Sequence, residues 1–268
     1  MTQATFAEQI KAKTEESRLY EELLPRVSLQ HGEKTVMFRV SSRVAALRVF
    51  SINSKEPETL AWIEEMDQNT ILFDVGANIG LYTIWAAVTR GARVHAFEPE
   101  ASSYAMLCGN VFDNGVADRV RAYCLGLSDK AGIGHMLLSS TSAATSGHQV
   151  MVANAATGIP HSHQYPQGVV TQTLDALVFD LGLPCPSDIK IDVDGLEHAI
   201  IAGAGRVLAH PDLRSILIEV EIKNPLHQNF MARLTDLGFE KDAELEARVE
   251  AKTEGGNAFI GNIVFRRK

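Results

Sequence analysis

Hydrophobic positions along the chain change their period several times, and each change marks an element. Over 5–24 the apolar residues Phe6, Ile10, Leu19, Leu23 and Leu24 stand among charges, which predicts an amphipathic helix ended by Pro25. Between 27 and 52 the β-branched, alternating character of "TVMFRVSSRVAALRVF" predicts two or three strands. "SKEPETLAWIEEM" then predicts a short helix with Ser54 as N-cap and Pro57 in its first turn. Residues 1–69 are expected to form an N-terminal cap ahead of the main domain, 70–268.

From Thr70 onward strands and helices alternate. Strands are predicted at 71–75, 93–98, 120–125, 188–193 and 215–221, with helices at 80–89, 101–114, about 197–208 and about 226–237 between them. "AFIGNIVFRR" closes the chain as a strand. Apolar strands separated by helices imply a mostly parallel sheet covered on both faces. The rhythm breaks over 132–173, where "GIGHMLLSS" and "GVVTQTLD" flank a polar loop with several glycines and prolines. That insertion is expected to form a lid or rim over 139–168, together with the N-terminal cap.

Bulk properties narrow the partners. The 268 residues, 46% hydrophobic and 22% charged, suit an ordinary globular α/β chain. A formal net charge of −8 argues against a general nucleic-acid or anionic-membrane surface, which needs clustered Lys and Arg. Cys108, Cys124 and Cys185 are scattered and lack metal-ligand spacing, as expected of buried thiols in a reducing cytoplasm. The charged N-terminus reads as neither a signal peptide nor a membrane span. A small-molecule acceptor is therefore the expected partner, with a homo-oligomer left open.

The chemistry concentrates where "TILFDVGANIGLYTIWAA" passes from strand to helix. A dinucleotide site wants G-x-G-x-x-G there, whereas this turn runs Asp74-x-Gly76-x-Asn78-x-Gly80. An acid ahead of the turn suits an ammonium better than a pyrophosphate. The next strand ends in "FEPE", and Glu98 stands where an acid can accept both hydroxyls of a ribose. A ligand with a ribose, a cationic amine and no phosphate is S-adenosylmethionine.

The blocks "FDVGANIGLYTIWAA", "VHAFEPEASSYAMLCGNVFDN", "LGLSDKAG", "TLDAL" and "IKIDVDGLEHAIIAGA" resemble the FkbM family of S-adenosylmethionine-dependent methyltransferases across about 56–221. The resemblance implies an α/β class I methyltransferase (Rossmann-like) fold. Its sheet would have seven strands, mostly parallel, with the last inserted antiparallel. It also implies O-methylation of a sugar or polyketide-type hydroxyl. Asp194 departs from the usual "DVEG" but keeps the acid.

Individual roles follow. Asp74 orients the methionine amine or caps the helix; Gly76, Ala77 and Gly80 allow close approach or close packing; Asn78 meets the methionine carboxylate or caps. Glu98 is the ribose ligand. Asp129 stands near adenine or serves as a turn residue. Asp192 contacts the methionine moiety or the acceptor hydroxyl, and His198 is a candidate base or a packing residue. Glu219 and Glu221 end the adjacent strand, where with Asp192 they would hold Mg²⁺ or act as plain rim acids; the rim-acid reading is favoured, and no metal site is assigned. His161 and His163 read as exposed loop residues. A nicotinamide-dependent oxidoreductase and a non-catalytic cofactor-binding scaffold are the competing functions.

Overall fold

The computed structural model describes residues 5–138, 140, 142–145, 149–152, 165–254 and 260–268. Helix α1 (Phe6–Glu22) opens on a capping box, in which Thr5 and Glu8 each accept the other's backbone N–H. Its apolar residues Phe6, Ile10 and Leu23 stay exposed. Strands β1 (Arg26–His31) and β2 (Lys34–Arg39) pair antiparallel around Gly32, whose φ of +58° is left-handed.

The chain then turns helical where strand was predicted. Helix α2 (Arg43–Phe50) starts because the Ser42 hydroxyl accepts the Ala45 N–H, and it buries Ala45 and Val49, four residues apart. A local cap and a helical burial stripe thus override β-branched propensity. Ser54 falls inside α3 (Ile52–Lys55) and is not a cap. Glu56 takes the N-cap position of α4 (Pro57–Glu64), with Pro57 at its first turn.

The alternating region begins with β3 (Ile71–Val75) and α5 (Leu81–Trp85), which widens into a π-helical turn over Ala86–Arg90. Next come β4 (Arg93–Phe97), α6 (Ala101–Asp113) and β5 (Val120–Tyr123). Strand β6 (Gly126–Leu127) precedes the insertion, which contains β7 (Gly132–Leu138), β8 (Gln149–Val152) and β9 (Tyr165–Gln172); the four form a second sheet in the order β6-β9-β7-β8. Helix α7 (Leu174–Phe179) returns the chain to β10 (Asp188–Ile191).

The single helix expected after β10 is two, α8 (Glu197–Ala202) and α9 (Gly205–Ala209). At the break, a Cβ on Gly203 would come within 2.3 Å of the Ser128 carbonyl oxygen. The Asp175 carboxylate restarts the helix by accepting the N–H groups of Arg206 and Val207. Then follow β11 (Ser215–Glu221), α10 (Pro225–Asp236), β12 (Phe239–Lys241), α11 (Ala243–Glu254) and β13 (Ile260–Arg267).

The main sheet runs β12-β13-β11-β10-β3-β4-β5, with β13 antiparallel to both its neighbours. This is the seven-stranded arrangement that the resemblance implies. Strand order reverses between β3 and β10, and ligands of open α/β sheets bind outside the strand ends at such a point. One sheet face packs Phe73, Ile189, Ile216 and Phe265. The other packs Leu72, Val94 and Leu217 against Phe38, Val49 and Trp62 from the N-terminal segment. Trp62 Nε1 donates to Ser215 Oγ at 2.7 Å, and that hydroxyl donates to Asp188 at 2.6 Å. The N-terminal elements therefore share one apolar core with the sheet. Among the described residues, no helix is long and apolar enough to cross a membrane.

Candidate active site

A cleft of about 1180 Å³, measured out to bulk solvent, opens at the carboxyl ends of β3, β4 and β10. Its floor is the turn after β3. The N–H groups of Gly76 and Ala77 both donate to the Phe97 carbonyl, at 3.0 and 3.1 Å, clamping the turn to the end of β4. Gly76 has φ +80°, and a Cβ there would lie 2.0 Å from the Asp192 carbonyl oxygen. Only glycine fits.

Asn78 also adopts a left-handed φ of +51°, which directs its N–H to Glu98 Oε2 at 2.7 Å. The other carboxylate oxygen of Glu98 accepts the Glu100 N–H at 2.8 Å. Glu98 is only 6% exposed. Burial pushes its pKa up to about 7, against the opposing pull of the two backbone N–H groups.

Across the sheet, strand register assembles a polar row. Lys190 stands opposite Asp74 on one side and Leu217 on the other, while Glu219 pairs with Asn262. Side chains alternate along a strand, so Asp74, Lys190, Asp192, Glu219 and Asn262 share one face. Lys190 is 1% exposed; its ammonium lies 2.9 Å from Asp192 Oδ2 and 5.1 Å from the centre of the Tyr82 ring. Burial opposes its charge, but Asp192, Asp74 and Glu56 together hold its pKa above the ordinary lysine value.

The acids divide by environment. Burial pushes Asp74 up; Thr83 Oγ1 donates to its Oδ2, and its buried Oδ1 has no partner among the described residues. Burial also works against Asp192, yet the Lys190 ammonium keeps it below the usual carboxylate range. Glu219, half-buried, is pushed up to about 8 by burial and then by the charges of Asp192 and Glu197. Facing this row, Asn262 Nδ2 donates to Glu56 at 3.1 Å.

Of the residues singled out in the sequence, Asp74, Gly76, Ala77, Asn78, Glu98, Asp192 and Asp194 line the cleft. Five others, Gly80, Asp129, His198, Glu219 and Glu221, stand off its wall. A Cβ on Gly80 would meet Leu107 Cδ1 at 2.3 Å, so this glycine serves the packing of the turn against α6. Asp129 is exposed and accepts the Ser128 hydroxyl, while Leu125, Gly126 and Leu127 form the wall on that side. His198 lies on α8 with a buried Nδ1 that lacks a partner among the described residues. Glu219 lies behind Asp192, on the neighbouring strand.

Glu221 accepts from Asn224 Nδ2 at 3.4 Å. No three His, Cys, Asp or Glu side chains among the described residues converge as a metal site. His161 and His163 lie outside the described residues, as does much of the expected lid. Sequence reading missed Lys190, Tyr82, Glu56 and Arg48, all of which line the cleft. Lys190 had a signal, a lone lysine inside an apolar strand; the others had none.

The described part of the insertion reaches the cleft at 142–145. Ser42 Oγ donates to the Ala143 carbonyl at 3.0 Å, Arg48 Nε to Ala144 at 2.7 Å and Asn78 Nδ2 to Thr145 at 3.1 Å. Ser103 Oγ accepts the Ala144 N–H at 3.1 Å. Helix α2 with its cap, the glycine turn and α6 thus hold this strap through four hydrogen bonds.

Comparison with known proteins matches the Methyltransferase FkbM domain to residues 74–241. The chain is 27% identical over 202 residues to the 31-O-demethyl-FK506 methyltransferase FkbM of Streptomyces tacrolimicus, covering 67% of this chain and 76% of that one. It is 25% identical over 187 residues to the hexuronic acid methyltransferase AglP of Haloferax volcanii, covering 68% and 69%. A crystal structure of methyltransferase FkbM from Methylobacillus flagellatus KT aligns with a TM-score of 0.48 at 14% identity. That alignment covers 75% of this chain and 44% of the other, so the chain spans less than half of that protein's length.

Proposed function

The chain belongs to the FkbM methyltransferase family, and from that premise we propose that it transfers the methyl group of S-adenosylmethionine to a hydroxyl of a small molecule, of sugar or polyketide type. The observation that carries this reading is Glu98. Its carboxylate is buried in the cleft wall and fixed by two backbone N–H groups, with lone pairs left over. Two vicinal ribose hydroxyls need such a pre-set acceptor.

The rest of the cleft fits the same ligand. Asp74, with its unpartnered Oδ1, would hold the methionine amine directly or through water. The Gly76–Asn78 backbone would run alongside the amino-acid part, and Leu125 to Leu127 would face the adenine. When bound, S-adenosylmethionine supplies an electrophilic methyl group on a sulfonium. The protein's task is then to place the acceptor oxygen in line and to take its proton.

Asp192, ionised beside Lys190 on the cleft wall, is the group we assign to orient the acceptor hydroxyl. The same ionised carboxylate is placed to take the acceptor's proton; Glu219, one strand behind and off the cleft wall, holds its own proton up to about pH 8. His198 carries no role in this reading, because it does not line the cleft. That the relatives are a 31-O-demethyl-FK506 methyltransferase and a hexuronic acid methyltransferase supports a small-molecule acceptor of sugar or polyketide type.

Titration calorimetry with S-adenosylhomocysteine and with NAD tests the cofactor. Binding of the former alone is expected, and binding of NAD alone would overturn the reading in favour of an oxidoreductase. Labelled-methyl transfer to panels of sugars, uronic acids and hydroxylated polyketides then tests the acceptor. Cofactor binding without transfer to any of them would favour a scaffold.

A further inference from the structure

Glu197 is the first residue of α8 and is 1% exposed. Its side chain turns back on the chain: Oε1 accepts the N–H groups of Val193 and Gly195, at 3.3 and 3.4 Å. These belong to the turn that joins Asp192 to α8, where Gly195 takes a φ of +93°. The second oxygen, Oε2, is buried without a hydrogen-bond partner among the described residues and lies 3.6 Å from His227 Nε2.

His227 comes from α10, which packs on α8. Its Nδ1 accepts the Glu221 N–H at 2.9 Å, so a neutral ring carries its proton on Nε2, toward Glu197. The other titratable groups facing the pair are Asp192 from the turn, Glu219 and Glu221 from β11, and His198 from α8 itself. Burial, then the Asp192 charge, push Glu197 up to about 7, against the N–H groups of Gly195 and Val193; burial pulls His227 down.

We infer that Glu197 is a positioning residue for the acceptor side of the cleft: its ionised carboxylate draws the Val193–Gly195 turn onto α8, which fixes Asp192 and Val193 on the cleft wall, while His227 supports that charge from behind. The inference rests on reading the cleft as the site of methyl transfer. An ionised carboxylate accepts backbone N–H groups more strongly than the neutral acid does. Against a local opening in which Glu197 stays buried and only loses these two N–H groups, which lower its pKa, the turn therefore tightens as pH rises, and the acceptor side of the site tightens with it. No contact of Glu197 with cofactor or acceptor is needed.

Hydrogen exchange over 192–196, measured on the full chain alone and saturated with S-adenosylhomocysteine, tests this. After correction for intrinsic exchange, protection of the turn should rise about tenfold between about pH 6 and 8, the effect of one charge-assisted hydrogen bond. Glu197→Gln keeps the reach but not the titration, so its protection should not change with pH. Glu197→Asp keeps the charge but is one methylene short, and protection should stay low throughout. A flat wild-type profile, or a Glu197→Gln profile that follows wild type, overturns the proposal.

His227→Phe is the second probe, should the Glu197 variants fail to fold. It should move the wild-type midpoint to higher pH, and an unmoved midpoint removes His227 from the device. Failure of S-adenosylhomocysteine to bind would count against the cofactor assignment instead. The profile of the unliganded chain is read independently of that result.

Discussion

Lys190 in β10 and Asp192 just past its end, on the same face, form an ion pair at 2.9 Å whose ammonium is almost wholly buried. That single cation also answers to Asp74 and Glu56. One ammonium cannot neutralise every acid in the row, so the excess appears as retained protons. Asp192, in direct contact, stays ionised; Glu219, farther along the row, holds its proton to about pH 8. The register of β10 against β3 and β11 thus makes two neighbouring carboxylates chemically unlike.

Lys190→Met should therefore destabilise the chain by about 3–5 kcal/mol, since it strands buried carboxylates without a counter-charge. Lys190→Met combined with Asp192→Asn should lose less than Lys190→Met alone. Urea denaturation of the three proteins measures this. A double variant no more stable than the single one would mean that the pair is not the coupled unit described.

Gly76→Ala should cost at least about 2 kcal/mol, because it adds a left-handed backbone penalty to an overlap with the Asp192 carbonyl. The overlap lies where turn and β10 meet, so binding of S-adenosylhomocysteine should be lost as well. Unaltered urea midpoint and affinity would show that the turn relaxes freely.

How legible was this in the sequence? Strands 71–75 and 215–221 were read to the residue, because each is an apolar run bounded by polar turns. Helix α2 was not, since its β-branched residues point to strand and only the Ser42 cap and tertiary burial decide otherwise. Helix α11 was missed because "AELEARVEAKTE" has almost no apolar stripe to see. Glu98 could be singled out from its place after the second strand. The row of Asp74, Lys190, Glu219 and Asn262 could not: strand register brings together positions more than a hundred residues apart, and no local spacing encodes it.

Stability should fall as pH rises from about 6.5 to 8.5. Glu98 and Glu197 are raised to about 7 and Glu219 to about 8, from an ordinary 4.5. In that window the folded chain still binds protons that the unfolded chain has released. Each such group lowers stability by about 1.4 kcal/mol per pH unit until its folded pKa is passed. His95, lowered to about 4 by burial, acts in the opposite direction, but only below the ordinary histidine range. Glu219→Gln should flatten the upper part of the slope in urea melts. Stability that increases with pH across this window would contradict the assignment.

Glu98→Ala should weaken S-adenosylhomocysteine by about 1.5–3 kcal/mol, because it removes charge-assisted hydrogen bonds to the ribose. Glu98→Gln keeps one acceptor oxygen and should lose less. Calorimetry reads both. Affinity within twofold of wild type for Glu98→Ala would place the ribose elsewhere.

The strap over 142–145 makes the last prediction, and Ala144 is its weakest point. Ala144 is fully buried at a φ of +71°, a left-handed conformation that costs a residue with a Cβ about 1–2 kcal/mol. The hydrogen bond its carbonyl accepts from Arg48 and the one its N–H donates to Ser103 hold it there. A β-branched residue cannot adopt that backbone without strain and would also overfill the site. Ala144→Val should therefore lower stability by about 2 kcal/mol or more. The next residue, Thr145, accepts from Asn78, which in turn donates to Glu98, so a loosened strap slackens the wall around the ribose. S-adenosylhomocysteine should bind Ala144→Val about tenfold more weakly, the equivalent of one hydrogen bond. Ala144→Gly relieves the left-handed strain and gives some of it back as unfolded-state entropy. Its stability should change by less than about 1 kcal/mol, with affinity unaltered. Should glycine and valine weaken the ligand equally, the strap acts through the lost methyl group and not through its backbone, and the link from Ala144 to Glu98 fails.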